Sequence, residues 1–335
     1  MRIETNLNYF ENHTRYLQLK RVAIEYLVSI GCREVEVPTL SPVIIPEGYL
    51  GIFGTNLEIA GTTTALFLTP HPELFLKRLM HAGSGSLCCI SHAYRNQEDV
   101  TQKHSPEFEM LEFYLADHDY MQLAEVVKSL IATMAKSLYG IARCQYQGKA
   151  IQLENWEKIS IAEAFLQYAG ITNILDEADF LRQAHRLGYA TTGFGYLEVF
   201  SQIYTDKVES NLGTNGMPTM IYDYPPALAA TARVNPTTGY AERWELYIQG
   251  VELGNAANEQ ANLMTREQIK AKYQAEMSER IKNKLTLIVP DTEFEDIVST
   301  LSPFAGIGIG LERLCCSLLD LENICELHPI FLQNN

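Results

Sequence analysis

The chain has no paired-cysteine motif, no long apolar run and few basic residues for its length, and each shortage narrows what it can be. Its seven cysteines (Cys32, Cys88, Cys89, Cys144, Cys315, Cys316, Cys325) form neither a CxxC pair nor a Cys/His spacing suited to zinc. An odd cysteine count behind a polar N-terminus, Met1 to Lys20, predicts reduced thiols and a cytoplasmic location. No apolar run reaches the roughly 18 residues that cross a bilayer, so no membrane span is expected. Lys and Arg number 26 against 41 Asp and Glu, a net charge of −15. Proteins that hold a nucleic acid by neutralising its phosphates usually show a basic face, so extended contact of that kind is disfavoured and a basic protein partner suits the surface better. Internal repeats, low-complexity tracts and Pro/Ser linkers are missing as well, which predicts one continuous domain over residues 1–335.

What is present is periodicity. Leu17 to Ile30 carries apolar residues at helical spacing and stops at Gly31. Arg33 to Pro38 alternates polar and apolar, as a half-buried strand does. Pro72 to His81 predicts a helix with proline in its first turn, Leu87–Tyr94 and Phe108–Tyr114 predict strands, and Tyr120–Tyr139 an amphipathic helix. Residues 140–215 read as mixed and mostly helical, with no chemistry attached. Arg243 to Leu253 reads as a hairpin turning at Gln249-Gly250. Ala305 to Arg313 leads from a strand into a helix that runs through Leu319. Hairpin-paired strands mixed with helices indicate an α+β fold with a largely antiparallel sheet flanked by helices. The glycines Gly306, Gly308 and Gly310 follow no βαβ unit and are not a dinucleotide fingerprint.

Three stretches in order resemble the signature motifs of class II aminoacyl-tRNA synthetases: the helix and strand over about 17–38, the segment over about 87–114 with its Tyr94-Arg95-Asn96 and His104-Ser105-Pro106-Glu107-Phe108, and Gly306 to Arg313. Within that class the chain is similar to lysyl-tRNA synthetases, through PELFLKRL at 72–79, HSPEFEMLEFY at 104–114 and ELGNAANEQ at 252–260. Lysyl-tRNA synthetases place an anticodon-binding barrel before the first motif, whereas here that motif begins near the N-terminus. The stretch over 218–255 looks like that of the truncated paralogues that attach lysine-type groups to elongation factor P. The fold implied is the class II catalytic domain. The activity implied is ATP-dependent activation of lysine or a lysine-like amino acid as an aminoacyl-adenylate, with transfer to a lysine of elongation factor P. Transfer to a tRNA, a small molecule or a carrier, and a non-catalytic amino-acid sensor, stay open as alternatives. A homodimer joined through the first motif is implied too.

Joining a carboxylate to ATP brings two anions together, so such a site needs fixed positive charge. The resemblance places Arg95 on the α-phosphate and the substrate carboxylate, Arg313 on the γ-phosphate, Phe108 under adenine, and Asn96, Glu98 and His104 around the nucleotide. Glu73 would hold the α-ammonium and Asn255 the carboxylate, while Glu112, Tyr114 and Glu259 surround the distal ammonium. The hairpin carries its own argument. A turn at Gln249-Gly250 pairs Tyr247 with Glu252 and sets Glu245 on the same face. Two neighbouring carboxylates call for a cation between them, and Mg2+ arriving with ATP suits oxygen ligands. The chain departs from the pattern at three points. Gln97 intervenes between Asn96 and Glu98, which leaves two candidates, Gln97 and Glu98, for the ATP contact of the usual glutamate; His71 stands before Pro72 in a segment unlike either relative; and Glu312 replaces an aspartate. Gly308, where the elongation-factor-P ligases carry alanine, predicts preference for α-lysine or a close diamino analogue over (R)-β-lysine.

Overall fold

The computed structural model describes residues 1–259 and 263–333, and these fall into two compact units. The first comprises residues 1–118 and, of those described further on, 263–316 and 321–333; the second comprises Asp119–Glu259 and Ser317–Asp320. Gln260, the last residue of the ELGNAANEQ stretch, lies outside the described residues.

The first unit is built on strands ordered Arg33–Glu34, Leu87–Tyr94, Glu107–Ala116 and Phe304–Gly310. The first pair is parallel and the other two antiparallel. The register sets Glu112 opposite Gly308 on one side and Cys89 on the other, and Tyr114 opposite Gly306. Across the 107–116 strand Met110 to Leu115 are all buried, as expected of a strand covered on both faces. The helix Phe10–Ser29 buries Tyr16, Leu19, Ala23 and Leu27, at the three- and four-residue spacing of one helical face. From that face Tyr16 and Lys20 both bond the buried Glu109. The helix begins at Phe10 rather than Leu17, because its polar first turns are supported by the Glu11–Arg15 pair and by burial of Tyr16. The expected strand to Pro38 is shorter, Arg33–Glu34. Val35 still donates to Cys88 O, but Pro38 has no N–H with which to prolong the ladder. The second helix runs Glu73–His81 with Pro72 at its N-cap. A hairpin over Gly54–Ile59 and Thr62–Leu68 and helices over Arg266–Lys282 and Thr292–Thr300 complete the unit.

The second unit opens with the helix Tyr120–Tyr139, matching its sequence expectation at both ends. Asp119 and Gln122 form a capping box, and Gly140 at φ 73° ends it in the left-handed region. Its strands run Glu157–Ser160, Thr219–Tyr224, Ala241–Ile248 and Val251–Asn258, the first pair parallel and the rest antiparallel. The core gathers Phe165, Phe180, Tyr196 and Phe200 from the mostly helical segment between them. That segment contains two π-helical turns, Phe165–Ala169 and Tyr204–Val208. The α+β composition with mainly antiparallel sheet is as the sequence predicts. Among the described residues no helix is long and apolar enough to cross a membrane.

Candidate functional site

Strand register and helix phase assemble an acidic cluster in the first unit. Glu112 is buried to 6% exposure, and Tyr114, two residues along the same face, donates its hydroxyl to Glu112 Oε1. Glycine at 306 is required, since a Cβ there would stand 2.6 Å from the Tyr114 ring. At 308 a Cβ would meet only Met110 Sδ at 3.4 Å and Glu112 Oε2 at 3.9 Å. Glu73, on the first turn of the 73–81 helix, accepts from Lys77 at 2.5 Å. Lys77 was not foreseen, although its i,i+4 spacing from Glu73 signals the pair. Burial raises the Glu112 pKa to about 7, the nearby Glu73 charge adding to the rise while His71, Tyr114 and Lys77 oppose it. Glu73 faces the same burial, but Lys77 and then His71 outweigh it and hold its carboxyl below the usual range. Of the residues predicted for the amino acid, Glu73, Glu112, Tyr114 and Gly308 belong to this unit, while Asn255 and Glu259 belong to the second.

A second cluster of the same unit is cationic. Arg95 leaves the 87–94 strand with its guanidinium 5.2 Å from the Phe108 ring centroid. Its Nε is buried and has no hydrogen-bond partner among the described residues, while Nη1 lies 3.9 Å from Glu98. Gly51 bridges to Asn96 so closely that a Cβ at 51 would fall 1.8 Å from Asn96 O. The inserted Gln97 takes φ 63°, in the left-handed region, and Glu98 follows it. Arg313, in the first turn of the helix Leu311–Leu319, donates Nε to Lys103 O at 3.0 Å. His104 bonds Thr101, and partial burial followed by the charges of Arg313 and Arg95 holds its pKa below the ordinary histidine value. Glu312 accepts from the Glu109 backbone N–H at 2.7 Å, and burial pushes its pKa to about 8.

In the second unit the hairpin register next to the turn is as predicted, with Tyr247 opposite Glu252 and Ile248 opposite Val251 and φ 50° at Gln249 and 70° at Gly250, but a bulge between Leu246 and Tyr247 shifts the pairing beyond it by one residue. Glu245 lies opposite Asn255. The structure supplies a cation that sequence reasoning missed. Arg243 Nη2 is 2.5 Å from Glu245 Oε1, and its Nε donates to Asn255 Oδ1 at 3.0 Å. Its signal was available, as Arg243 precedes Glu245 by two on one strand face. Glu245 Oε2 accepts from the Tyr247 hydroxyl at 2.8 Å and from Tyr204, on the π-turn, at 3.4 Å. Burial, then the negative charge of Glu245, raises the pKa of Tyr204 and of Tyr247, so both remain donors. Two carboxylates are the right oxygen donors for magnesium, but too few to hold it without phosphate oxygens. Among the described residues no group of three or more His, Cys, Asp or Glu side chains is placed to hold a metal. Glu259 accepts from Thr231 at 3.2 Å.

Comparison with known proteins followed from this geometry. The family model for tRNA synthetases class II (D, K and N) matches residues 4–330. The chain is 30% identical over 314 residues to a lysine–tRNA ligase of Carboxydothermus hydrogenoformans, covering 90% of this chain and 61% of that protein. It is 32% identical over 316 residues to a lysine–tRNA ligase of Variovorax paradoxus, covering 90% and 58%. With a lysine–tRNA ligase of Staphylococcus aureus it shares 29% over 331 residues, covering 97% and 64%. The chain therefore spans about three fifths of the length of these curated relatives.

Proposed function

Because the chain belongs to the family of class II tRNA synthetases (D, K and N), we propose that it is an ATP-dependent ligase that activates lysine or a lysine-like diamino acid. The observation that carries this reading is the buried acidic cluster of Glu73, Glu112 and Tyr114, which suits a ligand bearing ammonium groups and penalises neutral side chains by leaving carboxylates unmatched. An oxygen of the amino-acid carboxylate attacks the α-phosphorus of ATP, the bond to the bridging oxygen breaks, and pyrophosphate leaves with its electron pair. Arg95, with a donor unspent, neutralises the α-phosphate and orients the carboxylate; Arg313 holds the γ-phosphate. Phe108 stacks on adenine, with Asn96, Glu98 and His104 about the nucleotide. Glu73 takes the α-ammonium, and Glu112 with Tyr114 takes the distal ammonium; the resemblance gives Asn255 and Glu259 of the second unit roles toward the same amino acid. Glu245 and Glu252 would hold Mg2+, which when bound supplies further charge against the leaving pyrophosphate. The family model runs across both units without interruption, which supports reading residues 1–335 as one catalytic module.

For the acceptor we propose a lysine of elongation factor P. The 218–255 stretch resembles the ligases that modify that protein, and a net charge of −15 suits a protein acceptor better than an extended tRNA surface. The reaction would take place in the cytoplasm. ATP–pyrophosphate exchange across an amino-acid panel, followed by transfer assays with elongation factor P and tRNA, tests both steps. Exchange with no amino acid would overturn activation, and transfer to tRNA alone would overturn the acceptor.

Gly308 bears on the choice of isomer. A Cβ at this position would make van der Waals contact with Met110 and Glu112 and clash with neither, so Gly308→Ala should fold normally and change the ratio of kcat/KM for α-lysine over (R)-β-lysine by up to about tenfold, as one methyl in a site commonly does. A tenfold preference for the β-isomer, unchanged in Gly308→Ala, would show that position 308 does not set it. We also propose a homodimer through the Phe10–Ser29 helix, which leaves Phe10, Leu17 and Val28 exposed and is the commonest symmetric solution. Light scattering should give twice 37.8 kDa; an active species at the single-chain mass refutes it.

A further inference from the structure

Beside Glu73 stands a side chain that the roles above do not use. His71 is joined to Glu73 through Pro72, and 12% of its side chain is exposed. Nε2 lies 2.7 Å from Glu47 Oε1. An ionised carboxylate only accepts, so Nε2 carries the hydrogen and the tautomer is set. Nδ1 is enclosed and has no hydrogen-bond partner among the described residues. It is 3.7 Å from Glu73 Oε2, too far for a direct hydrogen bond but a separation that two hydrogens of one ammonium group can span. The other oxygen of Glu73 is committed to Lys77.

We propose that His71 is a specificity-determining residue that reads the amino acid's α-amino group, the ammonium donating one hydrogen to Glu73 and a second to Nδ1. The inference rests on the lysine activation proposed above and adds a requirement to it: the ligand must carry an ammonium at that end. The charged and titratable groups acting on the ring and its carboxylate are Glu47 from its loop, Glu73 and Lys77 from the 73–81 helix, Glu112 with Tyr114 from the 107–116 strand, and Lys272 from the 266–282 helix. Burial opposes charge on the ring, yet Glu47, then Glu73 and Glu112, outweigh it and raise the pKa to about 9. The ring is therefore a resident cation near neutral pH. When a diammonium ligand is seated, its two charges and Lys77 balance Glu47, Glu73 and Glu112, and Nδ1 can accept only once its proton has passed to solvent. Binding thus exchanges the ring proton for the ligand's ammonium.

The experiment compares wild type with His71→Ala and His71→Gln. In glutamine the amide nitrogen can keep the Glu47 contact, but the amide carries no proton that titrates in this range. Titration calorimetry of lysine at pH 7.5 in two buffers of different ionisation heat reads proton release, and 6-aminohexanoate, which lacks the α-amino group, serves as the control ligand. Wild type should release about one more proton per lysine bound than either variant. In both variants the KM for lysine should rise about tenfold or more, with the KM for ATP and the affinity for 6-aminohexanoate unchanged. Equal proton release in all three proteins, or equal weakening of both ligands, overturns the proposal. A wild type with no lysine-dependent pyrophosphate exchange overturns the activation reading and this one with it. An active wild type matched by His71→Gln overturns this proposal alone.

Discussion

Arg95→Ala should lower lysine-dependent pyrophosphate exchange by about 10²-fold or more while leaving the cooperative unfolding transition in place. The size follows from what the side chain does: preorganised charge aimed at the reacting group is commonly worth 10²–10³ in rate, or roughly 3–4 kcal/mol. The structure gives reason to expect the upper part of that range. Arg95 Nε is buried without a partner, so its desolvation is already met in the free protein and a phosphate oxygen recovers it. The nearest carboxylate, Glu98, is 3.9 Å away and competes weakly. Arg95→Lys should rescue little, since one ammonium cannot reproduce a planar fork lying 5.2 Å from the Phe108 ring. Arg313→Ala should resemble Arg95→Ala in exchange. Near-normal exchange in either alanine variant would refute the role given to that arginine.

The second large effect is on stability. Arg280 is fully buried on the 266–282 helix. Nη1 donates to Glu47 O and Leu50 O, and Nη2 to Thr286 O, each at 2.7 Å. Arg280→Met keeps most of the volume but takes the guanidinium donors away from three partly buried carbonyls. Unpaired buried polar groups cost about 1–3 kcal/mol each before relaxation, so a loss of about 3–5 kcal/mol and a fall in Tm on the order of 10 °C are expected. Arg280→Lys should fall between, because an ammonium reaches fewer of the three carbonyls. The 47–50 loop also carries Glu47, the partner of His71, so the KM for lysine should rise along with the loss of stability. A Tm within 2 °C of wild type for Arg280→Met would show that the loop is held by other contacts.

Much of this molecule is written locally. The 87–94 strand, the 120–139 helix and the turn-proximal pairs of the 241–258 hairpin follow from period, caps and a two-residue turn, because those signals act over a few residues and need no distant partner; the one-residue shift between Leu246 and Tyr247 does not. The class II motifs were legible as a resemblance, carried by short contiguous stretches that hold Arg95, Phe108, Glu112, Tyr114 and Arg313. What the sequence left open is how buried charges are matched. Local spacing foretold Glu73 with Lys77 and Arg243 with Glu245 to anyone counting along one face. Nothing local joins His71 to Glu47, Arg280 to the carbonyls of Glu47 and Leu50, Lys20 to Glu109, or Tyr204 to Glu245. A buried polar group takes whichever partner chain closure brings within reach, and closure is decided by the packing of whole elements rather than by neighbours in sequence. Sequence thus determined most of the elements and the side chains they carry; the tertiary structure decided which of the buried charges answer one another within the protein.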